Sequence, residues 1–170
     1  MSRVGRILLA TILTGTIFAC KKSSTDNCTP ESFEFKFQNS MNIDTARLHA
    51  DPVFYYYSYT ITAGNKTVFT YTHHFRDCPE IADDEGLRTI IFEVPEQSGS
   101  FFFNDSIKLH AAKTLIHYSC FCAPGTPVLI KQGFIEGIKV SANAWKITAN
   151  LQNPWNPQET VIIDRFFTLQ

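Results

Sequence analysis

Residues 53–75 read VFYYYSYTITAGNKTVFTYTHHF, in which two runs of β-branched and aromatic residues flank Gly64-Asn65. Residues of these types are enriched in β-strands. A short glycine-containing break between two such runs is typical of a hairpin turn. We therefore expect residues 53–62 and 66–75 to form an antiparallel hairpin, and this hairpin sets the fold class of the chain.

The rest of the chain repeats the same two-residue period. Phe33, Phe35 and Phe37 alternate with polar residues, as expected for a strand with one buried face. Further strands are predicted over residues 88–94, 101–109 (one bent or two short strands), 114–122, 128–141, 145–151 and 159–169. We expect residues 41–48 to form one helical turn at most. Turns rich in glycine, proline and asparagine separate the runs, which is the pattern of an all-β fold.

The predicted architecture is a single domain, residues 33–170, folded as an antiparallel β-sandwich of about eight or nine strands. A lipocalin-like β-barrel is the alternative, because it too is built from short antiparallel strands. The sequence contains no internal repeat and no helical apolar stripe with capping residues.

The N-terminus has the features of a secretory signal. Arg3 and Arg6 precede an uncharged stretch, residues 7–18, which is too short to span a bilayer as a helix. The stretch leads into the sequence IFAC, whose last residue is Cys20. This segment resembles a lipobox, the processing site of bacterial lipoproteins. The resemblance implies that residues 1–19 are removed and that Cys20 carries a thioether-linked diacylglycerol.

Residues 20–32 are predicted to comprise the lipidated Cys20 and a flexible tether, because their polar composition buries little apolar surface. With this tether the chain resembles the small lipoproteins of Bacteroidota. That resemblance implies a cell-envelope protein anchored in the outer membrane, facing either the periplasm or the cell surface. The lipid membrane is then its first partner, through the acyl chains on Cys20.

Charge and motifs exclude several functions. Without Arg3 and Arg6, 13 basic and 16 acidic side chains remain, a net charge of −3. No polybasic run is present, so nucleic-acid binding is excluded. The sequence contains no nucleophile elbow, no HExxH motif and no glycine-rich phosphate loop. We therefore expect a protein that is not an enzyme and that has no cofactor.

Four cysteines follow Cys20, and an oxidising envelope favours two disulfides among them. They are Cys28, Cys78, Cys120 and Cys122. Three pairings are possible. A bond between Cys120 and Cys122 is strained on a regular strand. The pairing of Cys28 and Cys78 each with one of these two is therefore favoured.

A metal site is the alternative use of these side chains. His73, His117, Cys120 and Cys122 provide the imidazole and thiolate groups that bind zinc or copper. On a regular strand, however, His117 faces away from both cysteines. The expectation is therefore that no metal binds, and periplasmic metal handling through these residues is the second hypothesis.

Aromatic residues supply the candidate ligand contacts. Tyr55, Tyr56 and Tyr57 are consecutive, so a strand turns them to both faces of the sheet. Trp155 lies in a loop between two prolines, and exposed aromatic residues often mark binding sites. The predicted function is a non-catalytic binding or structural module that contacts a glycan or an envelope protein through these residues.

Overall fold

The structure, a computed structural model, describes residues 27–50, 55–79, 86–120 and 123–170. In chain order its elements are β1 (Ser32–Ala50), β2 (Tyr55–Ala63), β3 (Lys66–His74), β4 (Gly86–Pro95), β5 (Ser100–Phe103), α1 (Ser106–Ala111), β6 (Leu115–Cys120), β7 (Ala123–Pro124), β8 (Val128–Leu129), β9 (Gly133–Ser141), β10 (Ala144–Gln152) and β11 (Thr160–Leu169). The all-β prediction is confirmed. The predicted leader, Cys20 and Cys122 lie outside the described residues.

Hydrogen bonds join the described strands into one sheet, in the order β2-β8-β6-β4-β3-β1-β11-β10-β9-β5, with β7 beside β6. β2 also pairs with β1, so the six strands from β2 to β1 form a closed ring of pairings. β1 and β11 are parallel, whereas every other described pair is antiparallel. The finer choice between a sandwich and a barrel stays a prediction.

β1 is 19 residues long and changes partner near its middle. β3 lies along it from Ser32 to Gln38, and β2 lies along it from Met41 onward. β2 and β3 therefore lie end to end beside β1, and the described sheet does not pair them with each other. The predicted hairpin between residues 53–62 and 66–75 is wrong, because both strands use β1 as their partner.

The Gly64-Asn65 break bends the chain without reversing it. Gly64 donates its N–H to the carbonyl oxygen of Ser40 (2.9 Å). The backbone of Ser40 has a φ of 55°. A Cβ on Gly64 would lie 2.1 Å from Cγ of Asn42. A side chain at residue 64 would therefore displace the Asn42 side chain, and glycine leaves room for it.

Three further segments differ from the sequence-based expectation. The second half of residues 101–109 is helical, because the Asp105 side chain caps α1 by accepting the Lys108 N–H (2.8 Å). Residues 41–48 belong to β1. The predicted strand over residues 128–141 is split into β8 and β9, and Gly133, with φ of 113°, marks the split.

The sheet buries two apolar clusters on opposite faces of β3, β4 and β6. The large core also receives side chains from β9, β10 and β11, and its largest fully buried members are Trp145, Phe37, Phe69, Phe92 and Phe167. The small core lies inside the ring of pairings and contains Ile43, Val68, Ile91, Leu115 and Leu129. β4 is therefore buried on both faces from Thr89 to Val94, as expected for a central strand between two layers.

One carboxylate is buried among these strands. Glu93 on β4 is 2% exposed. Its Oε2 accepts the backbone N–H of Ile43 (2.7 Å), and its Oε1 lies 2.5 Å from Nζ of Lys66 and 3.2 Å from Nζ of Lys113. Lys113 Nζ also donates to the Ile43 carbonyl. The group thus connects β1, β3, β4 and the segment after α1.

The variant Glu93→Gln is expected to lower the free energy of unfolding by about 2–4 kcal/mol, because it leaves two ammonium groups beside an uncharged, buried side chain. Both lysine side chains are partly exposed to water. The expected loss of stability is therefore smaller than for a fully buried ion pair. Urea unfolding measures it. The exposed control Glu136→Gln should change stability by less than about 0.5 kcal/mol, and an equally small effect of Glu93→Gln would contradict the prediction.

Candidate functional site

Trp155 lies in the loop between β10 and β11, where it is 36% exposed. The buried Asn153 fixes this loop. Its Oδ1 accepts the backbone N–H of Trp155 (3.0 Å), and its Nδ2 donates to Oε2 of Glu159 (2.7 Å). A side-chain oxygen that bonds the backbone two residues ahead defines the turn locally. The indole is therefore carried by an anchored turn.

A cation packed between aromatic rings lies beside this loop. The Arg88 guanidinium is 5.5 Å from the Phe75 ring and 5.3 Å from the Tyr118 ring, within the range of cation–π attraction. Its NH1 also lies 2.8 Å from Oε1 of Glu159. We define the Trp155 surface by the residues of this arrangement, which are Phe75, Arg88, Tyr118, Asn153, Trp155 and Glu159.

Tyr118 joins the two halves of the Trp155 surface. Its ring meets the Trp155 indole edge to face, with centroids 5.1 Å apart, and its hydroxyl accepts a hydrogen bond from Nδ2 of Asn153 (3.3 Å). Burial raises the pKa of the Tyr118 hydroxyl, although the charge of Arg88 opposes this rise. The phenol therefore stays protonated at neutral pH and keeps a donor at the surface.

His73 extends the aromatic cluster away from Trp155. Its ring stacks on Phe33 (4.5 Å between centroids) and meets Phe75 edge to face (4.4 Å). Its Nε2 contacts the Glu31 carboxylate. Burial lowers the pKa of His73 below the ordinary value of 6.5, and Arg88 acts in the same direction, whereas Glu31 raises it. The imidazole is therefore held neutral at pH 7.

A disulfide closes this end of β1. Thr29 and Asp77 exchange two backbone hydrogen bonds (2.7 and 3.2 Å), in the register of the β1–β3 ladder. The next pair outward is Cys28 and Cys78, which are disulfide-bonded with their Cα atoms 4.1 Å apart. Non-hydrogen-bonded pairs bring two strands closest together in an antiparallel ladder, so this position suits a cross-strand disulfide.

The favoured pairing of Cys28 and Cys78 each with Cys120 or Cys122 is therefore wrong. The two cysteines bond to each other because the antiparallel register places them opposite one another. Cys120 is also disulfide-bonded, and Cys122 lies outside the described residues. The sequence alone does not show that residues 28 and 78 lie opposite each other on paired strands.

The alternative metal set is not brought together. The β3–β4 and β4–β6 registers align His73 with Tyr118, so His117 lies on the opposite face of the sheet from His73. Cys120 has no free thiolate, because it is in a disulfide. Within the described ranges, no three His, Cys, Asp or Glu side chains are grouped as a metal site. Cys122, the last predicted ligand, is outside these ranges.

The predicted tyrosine contacts lie apart from Trp155. Tyr57 packs against the small core and lines a groove of about 840 Å³ on the opposite face of β6 from Tyr118. Tyr56 pairs with Val128 of β8, and the side chain of Tyr55 is outside the described part of the chain. Trp155 and Tyr57 therefore belong to two separate surfaces.

Trp155 can be identified from the sequence as a candidate contact residue. The residues that hold it in place cannot all be identified in the same way. Asn153 carries a local signal, since an asparagine two residues before the tryptophan is typical of a side-chain-bonded turn. Arg88 carries none, because it reaches Tyr118 only through the pairing of β4 with β6.

No protein-family model matches the chain, and searches of curated proteins and of solved structures also found no match. Among the residues that the structure describes, no helix is long and apolar enough to cross a membrane. The two surfaces themselves are therefore the basis for assigning a function.

The stability of the fold should fall as the pH drops below about 6.5, the ordinary His pKa, because the unfolded chain then binds a proton that folded His73 resists. This loss continues until the pH passes the lowered pKa of the folded state. His73→Phe keeps an aromatic ring and should reduce the dependence. Urea unfolding of both proteins between about pH 5 and 8 gives the two slopes, and identical slopes would rule out this role for His73.

Proposed function

We propose that this protein is a lipid-anchored, non-catalytic binding module of the cell envelope and that it contacts a glycan through the Trp155 surface. The observation that carries the proposal is an exposed indole held on an anchored turn by a buried asparagine. Binding sites are most effective when their contact groups are locked by packing and by supporting hydrogen bonds.

The chemistry of the Trp155 surface suits a sugar ring. Aromatic rings offer an apolar face to the C–H groups of a sugar, and the partly exposed Trp155 indole supplies such a face, with the Tyr118 ring supporting it edge to face at 5.1 Å. The Tyr118 hydroxyl and the Glu159 carboxylate both bond to Nδ2 of Asn153 beside the indole. These two groups are able to form hydrogen bonds with the hydroxyl groups of a sugar. An aromatic face with nearby polar groups fixes both the position and the orientation of such a ligand.

An envelope protein is the second candidate ligand, and a different surface favours it. On the outer face of β9, β10 and β11, Ile138 and Phe166 flank Lys146 in one row of the sheet. Both apolar side chains are more than half exposed. Exposed apolar residues that adjoin on one face are a feature of protein contact sites.

The anchor is tested by the variant Cys20→Ser in the full chain. We expect the unaltered protein to fractionate with membranes and to show the mass of an acylated chain that begins at Cys20. The variant should keep its leader and lack the acyl mass, because no thiol remains for the thioether. Fractionation and intact-mass measurement check both points, with Cys28→Ser as the matched control. A variant as fully acylated as the control would refute the lipid anchor at Cys20.

The glycan contact is tested by Trp155→Ala in the full chain held in lipid nanodiscs. Binding to purified peptidoglycan and to an array of bacterial polysaccharides should weaken by about tenfold or more, equivalent to about 1.4 kcal/mol. Phe166→Ala removes a more exposed aromatic side chain from the other candidate surface and serves as the control. Unchanged binding in Trp155→Ala would refute the glycan contact at Trp155, and a loss confined to Phe166→Ala would place the glycan on the outer face of β9, β10 and β11 instead.

A further inference from the structure

A row of four side chains crosses the sheet and ends at the Trp155 indole. The strand registers place these residues side by side, in the order Phe33 (β1), His73 (β3), Arg88 (β4) and Tyr118 (β6). Side chains at paired positions lie on the same face of a sheet, and the Tyr118 ring contacts the indole. His73 is therefore connected to Trp155 through Arg88, although it is not itself part of the Trp155 surface.

The two nitrogens of the His73 ring have different partners. Nε2 contacts the Glu31 carboxylate, and a carboxylate accepts hydrogen bonds without donating them. The proton of the neutral imidazole therefore lies on Nε2, and Nδ1 is left as an acceptor. Nδ1 lies 3.4 Å from NH2 of Arg88, which only donates. The neutral ring is thus the form that satisfies both partners.

The orientation of the Arg88 guanidinium depends on its two terminal nitrogens. NH2 lies beside His73, and NH1 lies 2.8 Å from Oε1 of Glu159. Nε of Arg88 is buried and has no hydrogen-bond partner among the residues that the structure describes. The aromatic rings on either side attract the cation but contribute no directional hydrogen bond. Without the His73 acceptor, one directional contact remains.

Two sets of contacts connect the position of Arg88 to the indole. In the first, Oε2 of Glu159 accepts a hydrogen bond from Nδ2 of Asn153 (2.7 Å), whose Oδ1 accepts the backbone N–H of Trp155 (3.0 Å). In the second, the centroid of the Tyr118 ring lies 5.3 Å from Cζ of Arg88 and 5.1 Å from the indole centroid. A displaced guanidinium therefore alters both supports of Trp155.

Protonation of His73 reverses its contact with Arg88. An N–H on Nδ1 then faces the N–H groups of the guanidinium, and two cations lie side by side. The other titratable groups near the ring are Glu31 before β1, and Tyr71 and His74 on β3. Glu31 is the anion among them, and its contact with Nε2 retains the imidazolium. Arg88 is therefore the group that moves.

We infer that His73 is a positioning residue of the Trp155 surface. Its neutral ring holds the Arg88 guanidinium beside Glu159 and Tyr118, whereas protonation of the ring releases the guanidinium and displaces the indole. Ligand binding at Trp155 is then weaker in mildly acidic solution than in neutral solution. This consequence for binding rests on the proposed glycan contact, whereas the positioning of the indole does not.

Fluorine NMR of the full chain, labelled with 5-fluorotryptophan and held in nanodiscs of zwitterionic lipid, tests the inference. The chain contains two tryptophans, and Trp155→Phe assigns their two resonances. Trp145 is fully buried in the large core, so its resonance reports whether each variant is folded.

Three variants separate the role of the His73 acceptor from that of its ring. His73→Phe keeps an aromatic ring and removes the acceptor. His73→Asn removes the ring and keeps an uncharged acceptor oxygen near the position of Nδ1. His74→Phe makes the same substitution at the next residue, whose side chain points to the other face of the strand, and is the matched control.

At about pH 8, where the imidazole is neutral, His73→Phe should shift the Trp155 resonance because Arg88 has lost its acceptor. His73→Asn and His74→Phe should leave it in place. On acidification to about pH 5, the Trp155 resonance of the unaltered protein should move with a midpoint below about 6.5, the ordinary His pKa. That of His73→Asn should not move. Binding to peptidoglycan should weaken several-fold over the same range in the unaltered protein and stay constant in His73→Asn.

Each of three results would overturn the inference. An unchanged Trp155 resonance in His73→Phe would show that the indole does not depend on the acceptor. A pH response that persists in His73→Asn would assign it to another group. Equal movement of the Trp145 resonance would indicate a change of the whole domain. A Trp155 resonance that behaves as expected, without glycan binding at any pH, would support the inference and refute only the glycan contact.

Discussion

The fold depends on one buried carboxylate. Glu93 lies on β4, which is buried on both faces along most of its length, and it bonds the backbone of β1 just beyond the point where β1 changes partner. A broken ladder leaves backbone groups unsatisfied, and such groups are costly when buried. The Glu93 carboxylate accepts a hydrogen bond from one such group, the backbone N–H of Ile43. It also binds the ammonium groups of Lys66 and Lys113, which belong to other elements. An ion group of this kind is satisfied only in one arrangement of its neighbours, so it favours a single register.

That register places the two candidate surfaces at opposite ends of the ring of pairings. At one end, the start of β4 and the end of β6 bring Arg88 and Tyr118 beside the Trp155 loop. At the other end lies the groove that Tyr57 lines, and Lys113, one of the two lysines bound to Glu93, lines it too. The small core fills the space between them. The two surfaces are therefore separated by packed side chains.

The fold class could be predicted from the sequence because alternation of apolar and polar residues is a local property. Phe35, Phe37 and the β10 residues face the core as their period indicates. Strand pairing is not local. Gly64-Asn65 has the composition of a hairpin turn, and only the longer β1 nearby makes it a bend. The same limit explains the disulfide error, because Cys28 and Cys78 are 50 residues apart and meet through a ladder. Trp155 was visible as a loop aromatic, whereas the residues that line the groove beside Tyr57 come from separate elements that only the topology brings together.

The Cys28–Cys78 bond has a mechanical consequence. Tension applied to the chain upstream of residue 28 reaches this bond before it reaches β1, whose first residue is Ser32. The disulfide transfers this force to β3 as well. The hydrogen bonds that join β1 to β3 and β11 therefore cannot break one after another from this end, and must break together. The eight residue-to-residue steps from Cys20 to Cys28 reach at most about 29 Å when fully extended. Under the proposed anchor at Cys20, a pull from the membrane would enter the domain through this disulfide, and the ladders of β1 would resist it together.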